Sequence, residues 1–308
     1  MAIALYPHPD MLRHEPHARN PERPERLVAV TEALGDSGLD LDFREAPEAV
    51  RVDLERVHGR PYLDAIESAA RRTASGTGLV RLDADTWMSP GSLKGAARAA
   101  GGAIAAARAV AAGEIQRAFC AVRPPGHHAG PDFAMGFCIY SNIALAARAA
   151  QDGGLARVAV IDFDVHHGNG TQAVFEADAS LFFASVHQSP LYPGTGNPSE
   201  TGVGNIANAI VAPGAPRQVW RKAFEGLMSR TDDFAPDLIL ISAGFDAHAR
   251  DPLSDQALEA EDFAWATAAV ISVANRRCAG RIVSSLEGGY DLEGLAQSTV
   301  AHVAALNG

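Results

Sequence analysis

The sequence has few cysteines, and they do not form the pattern of a disulfide scaffold. Its 308 residues include only Cys120, Cys138 and Cys278, which are widely spaced and odd in number. Small secreted domains that depend on disulfides carry many cysteines, usually in even number, because each bridge replaces part of a missing core. We therefore expect free thiols and a reducing, cytoplasmic location.

Long apolar runs are also missing. The segment richest in alanine, 96–112, is interrupted by Arg98 and Arg108, whereas a membrane-spanning helix needs roughly 20 mostly apolar residues. The N-terminal stretch MAIALYPHPDML has no basic residue ahead of its short apolar run, unlike a secretory signal. We expect neither a membrane span nor a signal peptide.

Basic residues are outnumbered by acidic ones. The sequence has 26 lysines and arginines against 37 aspartates and glutamates, which gives a formal charge of −11. Such a surface repels phosphate backbones, which argues against general nucleic-acid binding and is compatible with cationic substrates or products. With 47% apolar residues, the chain has enough material for a sizeable core.

Short β-branched or aromatic runs alternate with longer alanine-rich amphipathic runs, a pattern typical of parallel strands joined by crossover helices. Runs such as VAVIDF and LILIS do not alternate in polarity, as expected of strands buried on both faces. The sequence predicts strands over 2–6, 118–122, 157–163, 181–187, 237–242 and 281–286, and helices near 24–35, 61–72, 91–112, 139–151, 216–234, 257–277 and 292–306.

The most distinctive side chains follow these predicted strands. In open α/β sheets, ligands bind at the carboxyl ends of the strands. The segments at those ends are 123-RPPGHHA-129, 162-DFDVHHGNG-170, 185-SVHQ-188, 244-GFDAH-248 and 287-EGGY-290. Because residues from position 123 to position 290 must meet at one edge, we predict a single domain over 1–308.

Two carboxylates and one imidazole suggest a metal site. Asp162, Asp164 and His166 alternate along an extended segment and therefore point to one side. A buried set of this kind needs a cation to offset desolvation. Adding Asp246, which comes just past another predicted parallel strand, gives Asp164, His166 and Asp246 as three ligands with open positions, typical of catalytic zinc. Two carboxylates also suit Fe²⁺ or Mn²⁺.

Two further groups have the chemistry of amide hydrolysis. His127 and His128 follow two prolines and a glycine, so a rigid loop presents two imidazoles that exchange protons near neutrality. Either one could accept a proton from attacking water or give one to a leaving amine, and a second metal site for the pair stays an alternative. Tyr290 can donate a hydrogen bond to an oxyanion without carrying charge.

These motifs together resemble the zinc-dependent histone deacetylase superfamily, which includes bacterial deacetylase-like amidohydrolases and acetylpolyamine amidohydrolases. The matching segments occur in the family's order and span nearly the whole chain: 22-ERPERL-27, 123-RPPGHHA-129, 136-GFC-138, 162-DFDVHHGNGTQ-172, 193-PGTG-196, 242-SAGFDAH-248 and 286-LEGGY-290. The resemblance implies the arginase/deacetylase α/β fold, in which one parallel sheet lies between helix layers.

The resemblance also implies a role for each matching residue. The metal ligands would be Asp164, His166 and Asp246, the acid/base pair His127 and His128, and the oxyanion donor Tyr290. Asp162 would lie behind His127, and Asn169 behind His128. The substrate would contact Gly136, Phe137, Tyr192, Leu253 and Asp85. A structural K⁺ would be held by Asp162, Ser185 and the carbonyls of Asp164, His166 and Val186.

Three positions depart from the family's pattern. Asn169 stands where many members have Asp, which removes a carboxylate and should make His128 harder to protonate. Asn20 stands where His is expected, and this puts little in doubt. Leu253 occupies a position where polyamine-selective relatives can have Glu, so the apolar residue weakens the case for a polyamine substrate.

The leading hypothesis is removal of an acetyl or other acyl group from an amine such as acetyl-lysine, through metal-activated water. Acetylpolyamines and other small N-acyl amines remain alternative substrates. An arginase-like enzyme with two manganese ions would need Asp at the position of Gly168. A module that only binds acetylated ligands is the non-enzymatic alternative. The family resemblance is compatible with a homo-oligomer.

Overall fold

The computed structural model describes residues 2–75 and 78–308 of the chain. Its strands are β1 (Ile3–Leu5), β2 (Leu41–Phe43), β3 (Val80–Arg81), β4 (Trp87–Met88), β5 (Arg117–Cys120), β6 (Val158–Asp162), β7 (Leu181–Gln188), β8 (Ile206–Val211), β9 (Leu238–Ala243) and β10 (Ile282–Leu286). Its helices are α1 (Pro24–Asp36), α2 (Arg51–Leu54), α3 (Arg60–Ser75), α4 (Ser92–Ala111), α5 (Asn142–Asp152), α6 (Asn169–Phe175), α7 (Arg217–Phe234), α8 (Ala260–Arg277) and α9 (Leu292–Asn307).

Within the described residues, eight strands form one sheet in the order β2-β1-β5-β10-β9-β6-β7-β8. Every neighbouring pair in this sheet is parallel. Helices α4 and α5 pack against each other and against the central strands, while α1, α9, α8 and α7 form a second contiguous row. This is the predicted parallel sheet with helices packed against it.

The central strands form because their side chains are apolar on both faces. All residues of β6 (VAVID) and β9 (LILISA) are buried, as expected for strands covered by helices on each side. All six predicted strands are present in the sheet, and each predicted helix has a counterpart within three residues of its bounds.

The edge strands of the sheet and the shortest elements are not predicted from the sequence. Strand β2 has three residues, none of them buried, so it gives no apolar signal. Strand β8 lies at the edge of the sheet. It contains Asn208 and exposes Ile210, so its sequence is not a continuous apolar run. Strands β3 and β4 form a separate antiparallel pair of two residues each, too short for a periodic pattern.

The strand order explains how distant segments meet. Strands β5, β10, β9 and β6 are consecutive neighbours, and because they are parallel their carboxyl ends lie at one edge. The four loops that follow them carry the histidine pair, Tyr290, Asp246 and the 162–170 segment. Among the described residues, no helix is long and apolar enough to span a membrane.

A buried histidine links two helices to the sheet. His302 in α9 is fully buried, with Nδ1 2.6 Å from the Thr267 hydroxyl in α8 and Nε2 2.8 Å from the Ser284 hydroxyl in β10. Burial lowers its pKa to about 3. The neutral imidazole therefore joins three elements through hydrogen bonds within an apolar core.

We predict that His302 makes the protein less stable in acid. At pH values below about 6.5 the histidine is protonated in the unfolded chain but stays neutral in the folded one, so the free energy of unfolding falls as pH decreases. Its contribution approaches about 1.4 kcal/mol per pH unit. Urea unfolding at about pH 7 and pH 5.5 should show a smaller pH dependence for His302→Gln than for wild type. An equal change in the free energy of unfolding between the two pH values for both proteins would contradict the prediction.

Candidate active site

The predicted metal ligands lie together at the carboxyl edge of the sheet. Asp164, His166 and Asp246 are buried, and one ligand atom from each lies within 4.8 Å of the others. The His166 Nδ1 atom is 3.0 Å from Asp164 Oδ1 and 3.1 Å from Asp246 Oδ2. The structure thus assembles two carboxylates and an imidazole from loops 80 residues apart, as the sequence predicted.

Electrostatics favour a cation at this cluster. Burial and the charge of Asp164 raise the pKa of Asp246 to about 7. Burial lowers the pKa of His166, but hydrogen bonds to Asp164 and Asp246 outweigh this effect and raise it to about 10. The raised pKa values of Asp246 and His166 both indicate a site with excess negative charge, which a divalent cation would neutralise.

Two glycines leave room for the carboxylates. A Cβ atom at Gly244 would lie 2.0 Å from Asp164 Oδ2, and one at Gly288 would lie 2.1 Å from Asp246 Oδ2. The Gly288 N–H also donates to Asp164 Oδ2 at 2.8 Å. Only glycine therefore fits beside the cluster, and the residues present suit a bound divalent cation.

The histidine pair lies beside this cluster, and its two members differ in their partners. His127 Nδ1 is 3.0 Å from Asp162 Oδ2, whereas His128 Nδ1 is 2.7 Å from Asn169 Oδ1. Burial opposes protonation of both. The charges of Asp164 and Asp162 nevertheless raise the pKa of His127, whereas the positive charges of His127 and His166 add to burial and lower the pKa of His128.

Glu287 attaches the histidine loop to the last strand of the sheet. Its buried Oε2 atom accepts hydrogen bonds from the N–H groups of Gly126 (2.6 Å) and His127 (3.1 Å). Glu287 lies within the motif 286-LEGGY-290, but the sequence does not predict a role for it. The motif was the available signal, whereas the contact joins residues 161 positions apart.

A narrow cavity of about 210 Å³ leads to the cluster. It contains all five residues predicted to contact substrate, together with two predicted catalytic residues and one ligand. Leu191 also lines the cavity and was not predicted from the sequence. The full lining is Asp85, His128, Gly136, Phe137, His166, Leu191, Tyr192, Leu253 and Tyr290. We call this cavity the tunnel.

Arg26 and Asp251 hold Tyr290 at the tunnel. The Arg26 guanidinium lies 4.8 Å from the centre of its ring, and Arg26 also donates to the carbonyls of Gly289 (2.6 Å) and Glu287 (2.5 Å). The Tyr290 N–H donates to Asp251 Oδ2 at 2.6 Å. Burial raises the pKa of Tyr290 far above its usual range despite Arg26, so the phenol keeps its proton at neutral pH.

Arg26 belongs to a fully buried ion network centred on Glu22. Glu22 receives two hydrogen bonds from Arg123, at 2.7 and 2.8 Å, and one from Arg26 at 3.2 Å. His14 Nε2 lies 3.3 Å from the same carboxylate. Arg123 begins the loop that carries the histidine pair, so Glu22 connects that loop to the arginine that holds Tyr290.

We predict that Glu22→Gln lowers the free energy of unfolding by about 3–5 kcal/mol, because two buried guanidinium groups lose their counter-charge. Glu67→Gln is the matched control, since Glu67 pairs with Arg51 at a solvent-exposed site where an ion pair contributes little. Urea unfolding of both variants is the measurement. A Glu22→Gln protein as stable as the control would contradict the importance of the network.

The residues predicted to hold a monovalent cation also lie close together. Asp162 in β6 and Ser185 in β7 are direct partners in the sheet, and both are buried. Asp162 Oδ1 accepts the Asp164 N–H at 3.1 Å, and the Ser185 hydroxyl lies 2.9 Å from His187 Nδ1. Asp164 and His166 follow Asp162 in the chain, and Val186 follows Ser185 in β7, so the five residues belong to two neighbouring segments of the sheet.

Comparison with known proteins identifies the family. Residues 20–306 match the model of the histone deacetylase domain. A probable deacetylase of Archaeoglobus fulgidus is 36% identical over 318 aligned positions, covering 100% of this chain and 87% of the relative. A histone deacetylase-like amidohydrolase of Pseudomonas aeruginosa is 40% identical and covers 89% of this chain and 72% of the relative.

Solved structures agree with this finding. The crystal structure of the HDA15 HD domain superposes with a TM-score of 0.92 at 33% identity, covering 99% of this chain and 91% of the other. An acetylpolyamine aminohydrolase from Burkholderia pseudomallei gives a TM-score of 0.90 at 27% identity, covering 99% and 98%. The fold is therefore the arginase/deacetylase fold, as predicted. The chain belongs to the histone deacetylase family, whose named relatives are deacetylases and amidohydrolases.

Proposed function

We propose that this protein is a metal-dependent hydrolase that removes acetyl or related acyl groups from amines such as acetyl-lysine. One observation carries the proposal. His128, Tyr290 and His166, a proposed metal ligand, line one cavity. A linear acyl-amine side chain could enter such a cavity and reach a base, an oxyanion donor and a cation at once.

Asp164, His166 and Asp246 would hold the cation, with Zn²⁺ as the first choice and Fe²⁺ or Mn²⁺ as alternatives. When bound, the cation supplies Lewis-acid polarisation of the acyl carbonyl and the attacking water. Asp162, Ser185 and the carbonyls of Asp164, His166 and Val186 would hold a structural K⁺.

The chain's own residues handle the protons. We assign His128 as the base that removes a proton from the attacking water, because it lines the tunnel and pairs with the neutral Asn169. The protonated histidine then gives a proton to the leaving amine. His127, paired with Asp162, assists this transfer electrostatically. The products are the carboxylic acid and the free amine.

Tyr290 would stabilise the negative charge that develops on the acyl oxygen when water attacks the acyl carbon. Its phenol keeps its proton, and Arg26 and Asp251 hold it in place, so the donor needs no reorganisation during the reaction. The Gly136 carbonyl would accept the N–H of the substrate amide. Phe137, Tyr192 and Leu253 would enclose the alkyl chain, and Asp85 would contact the substrate at the mouth.

We further propose that the chain acts as one catalytic domain in a reducing, cytoplasmic setting. The three cysteines are free and buried in the structure, which suits that setting. The partner of the site would be an acylated protein, peptide or small amine. A homo-oligomer is compatible with this proposal.

Acetylpolyamines are a second candidate substrate. One solved relative is named an acetylpolyamine aminohydrolase, and Asp85 places a carboxylate in the tunnel lining that would attract an ammonium group. Leu253 in the same lining favours an uncharged substrate at its own position. The two classes therefore differ in the charge that they bring to the mouth.

A substrate panel tests the proposal. The Zn²⁺-loaded protein is assayed for release of the acid from acetyl-lysine peptides, acetylspermidine, acetylputrescine and longer acyl-lysines, and the classes are compared by kcat/KM. We expect turnover with the highest kcat/KM on an acyl-lysine. A preference for acetylpolyamines would favour the second candidate. Absence of turnover on the whole panel with Zn²⁺, Fe²⁺ and Mn²⁺ would contradict deacylation.

A further inference from the structure

The turn that carries Gly136 and Phe137 has an uncommon backbone conformation. The φ angle is +56° at Gly136 and +68° at Phe137. Glycine adopts such angles freely, but a residue with a Cβ atom does so at an energetic cost and remains there only when its surroundings hold it. The Cys138 N–H closes the turn by donating to the Met135 carbonyl at 2.9 Å. Phe137 therefore depends on further contacts.

Those contacts come from a segment some 50 residues earlier. Asp85 Oδ1 accepts the Gly136 N–H at 2.9 Å, and the Thr86 hydroxyl oxygen accepts the Phe137 N–H at 3.0 Å. The Thr86 hydroxyl donates its own proton to Asp85 Oδ1 at 2.8 Å. Two consecutive backbone N–H groups are thus bound by two consecutive side chains. Thr86 itself is buried.

The position of this turn affects the reacting groups directly. A Cβ atom at Gly136 would lie 2.2 Å from His128 Cδ2, so the turn packs against the His128 ring. The Phe137 ring lies edge-on to the Tyr290 ring, with 5.9 Å between the ring centres. A shift of the turn by a fraction of an ångström would therefore change the space between His128 and Tyr290.

Asp85 also interacts with Tyr192, another residue of the tunnel lining. Both Asp85 and Tyr192 line the cavity, and the Tyr192 ring lies edge-on to His128 with 5.3 Å between ring centres. Burial raises the pKa of Tyr192, and the charge of Asp85 raises it further. The Asp85 carboxylate therefore interacts both with the turn, through the Gly136 N–H, and with Tyr192.

We propose that Asp85 and Thr86 are positioning residues that hold the Gly136–Phe137 turn in its left-handed conformation and thereby set the width of the tunnel. The inference rests on the proposed deacylation, and it adds a role within the chain to the substrate contact proposed for Asp85. Oδ1 serves the turn, which leaves the substrate contact to Oδ2. Acyl-chain selectivity then depends on Thr86, a residue that does not line the tunnel.

A pair of variants at Thr86 tests the inference. Thr86→Val keeps the shape but leaves the Phe137 N–H without its acceptor, whereas Thr86→Ser keeps the hydroxyl. The substrates are an acetyl-lysine peptide and N-pentylacetamide, which has the alkyl chain but no α-amide N–H for Asp85 to contact. We expect Thr86→Val to lower kcat/KM about tenfold on both substrates. Thr86→Ser should restore most of this loss.

Asp85 provides the second pair. Asp85→Asn keeps an oxygen that can accept from Gly136 and Thr86, whereas Asp85→Ala removes it. We expect Asp85→Ala to lose more activity on N-pentylacetamide than Asp85→Asn. This substrate has no α-amide N–H for Asp85 to contact, so its turnover depends on Asp85 only through the position of the turn. Equal losses for both Asp85 variants would show that only the charge matters and would overturn the inference. This pair also decides the question if Thr86→Val does not fold.

Two readouts separate positioning from general destabilisation. Thr86→Val should reduce the preference for acetyl over butyryl groups, a ratio that a uniform loss of folded protein leaves unchanged. Amide hydrogen exchange at Gly136 and Phe137 should become faster in Thr86→Val, and this measurement needs no enzymatic activity. Unchanged exchange and an unchanged acyl preference would overturn the inference. A wild-type protein without turnover would instead contradict the proposed function, while the exchange measurement would still test the turn.

Discussion

Tyr290→Phe should lower kcat by about 10²–10³-fold, the usual effect of removing one oxyanion donor. The substitution deletes a single hydroxyl and keeps the ring against Arg26 and Phe137. We therefore expect KM, metal content and the melting temperature to change little. The measurement is the rate of acid release from an acyl-lysine peptide at saturating substrate.

Tyr140→Phe is the matched control for this experiment. Tyr140 is buried away from the tunnel lining, so the same loss of a hydroxyl should leave kcat near the wild-type value. If Tyr290→Phe retained wild-type kcat, Tyr290 would not be the oxyanion donor. The tunnel would then need another donor at the acyl oxygen.

His128→Ala should lower kcat by about 10²–10⁴-fold, the range that general acid–base catalysis contributes. The effect should exceed that of His127→Ala, because His128 lines the tunnel and His127 lies behind it, against Asp162. Rates are compared at equal metal content, determined by elemental analysis. A His127→Ala variant that is slower than His128→Ala would reverse the two assignments.

His58→Asn controls for the loss of a buried imidazole. His58 is also buried and hydrogen-bonded, with Nδ1 3.0 Å from the Gly130 carbonyl, but it does not line the tunnel. We expect this variant to lose stability while keeping its kcat per folded molecule. Full activity in His128→Ala would contradict the proposed mechanism.

The central sheet could be predicted because burial leaves a clear mark on sequence. Strands covered on both faces need continuous apolar runs, and VAVID in β6 and LILISA in β9 are such runs. The proximity of Asp164, His166 and Asp246 could be predicted for a related reason. Asp164, His166 and Asp246 directly follow these strands, and parallel strands bring their carboxyl ends together.

The supporting contacts could not be predicted from the same patterns. Glu287 and Arg26 each act through partners more than 150 residues away in sequence, and periodicity reports that a side chain is buried but not what it contacts. The edge strand β8 could not be predicted because Asn208 interrupts its apolar residues. The sequence predicts Asp85 as a substrate contact, but no sequence pattern indicates that its carboxylate accepts the Gly136 N–H from a turn 51 residues away.

The proposed deacylation depends on a divalent cation bound by the Asp164, His166 and Asp246 cluster. The most direct measurement is acid release from an acetyl-lysine peptide during titration of chelator-stripped protein with Zn²⁺, with Asp246→Asn in parallel. We predict no turnover without metal, full activity at one ion per chain, and neither tight binding nor activity in Asp246→Asn. Turnover that persists in the stripped protein, or in the variant without bound metal, would contradict the claim.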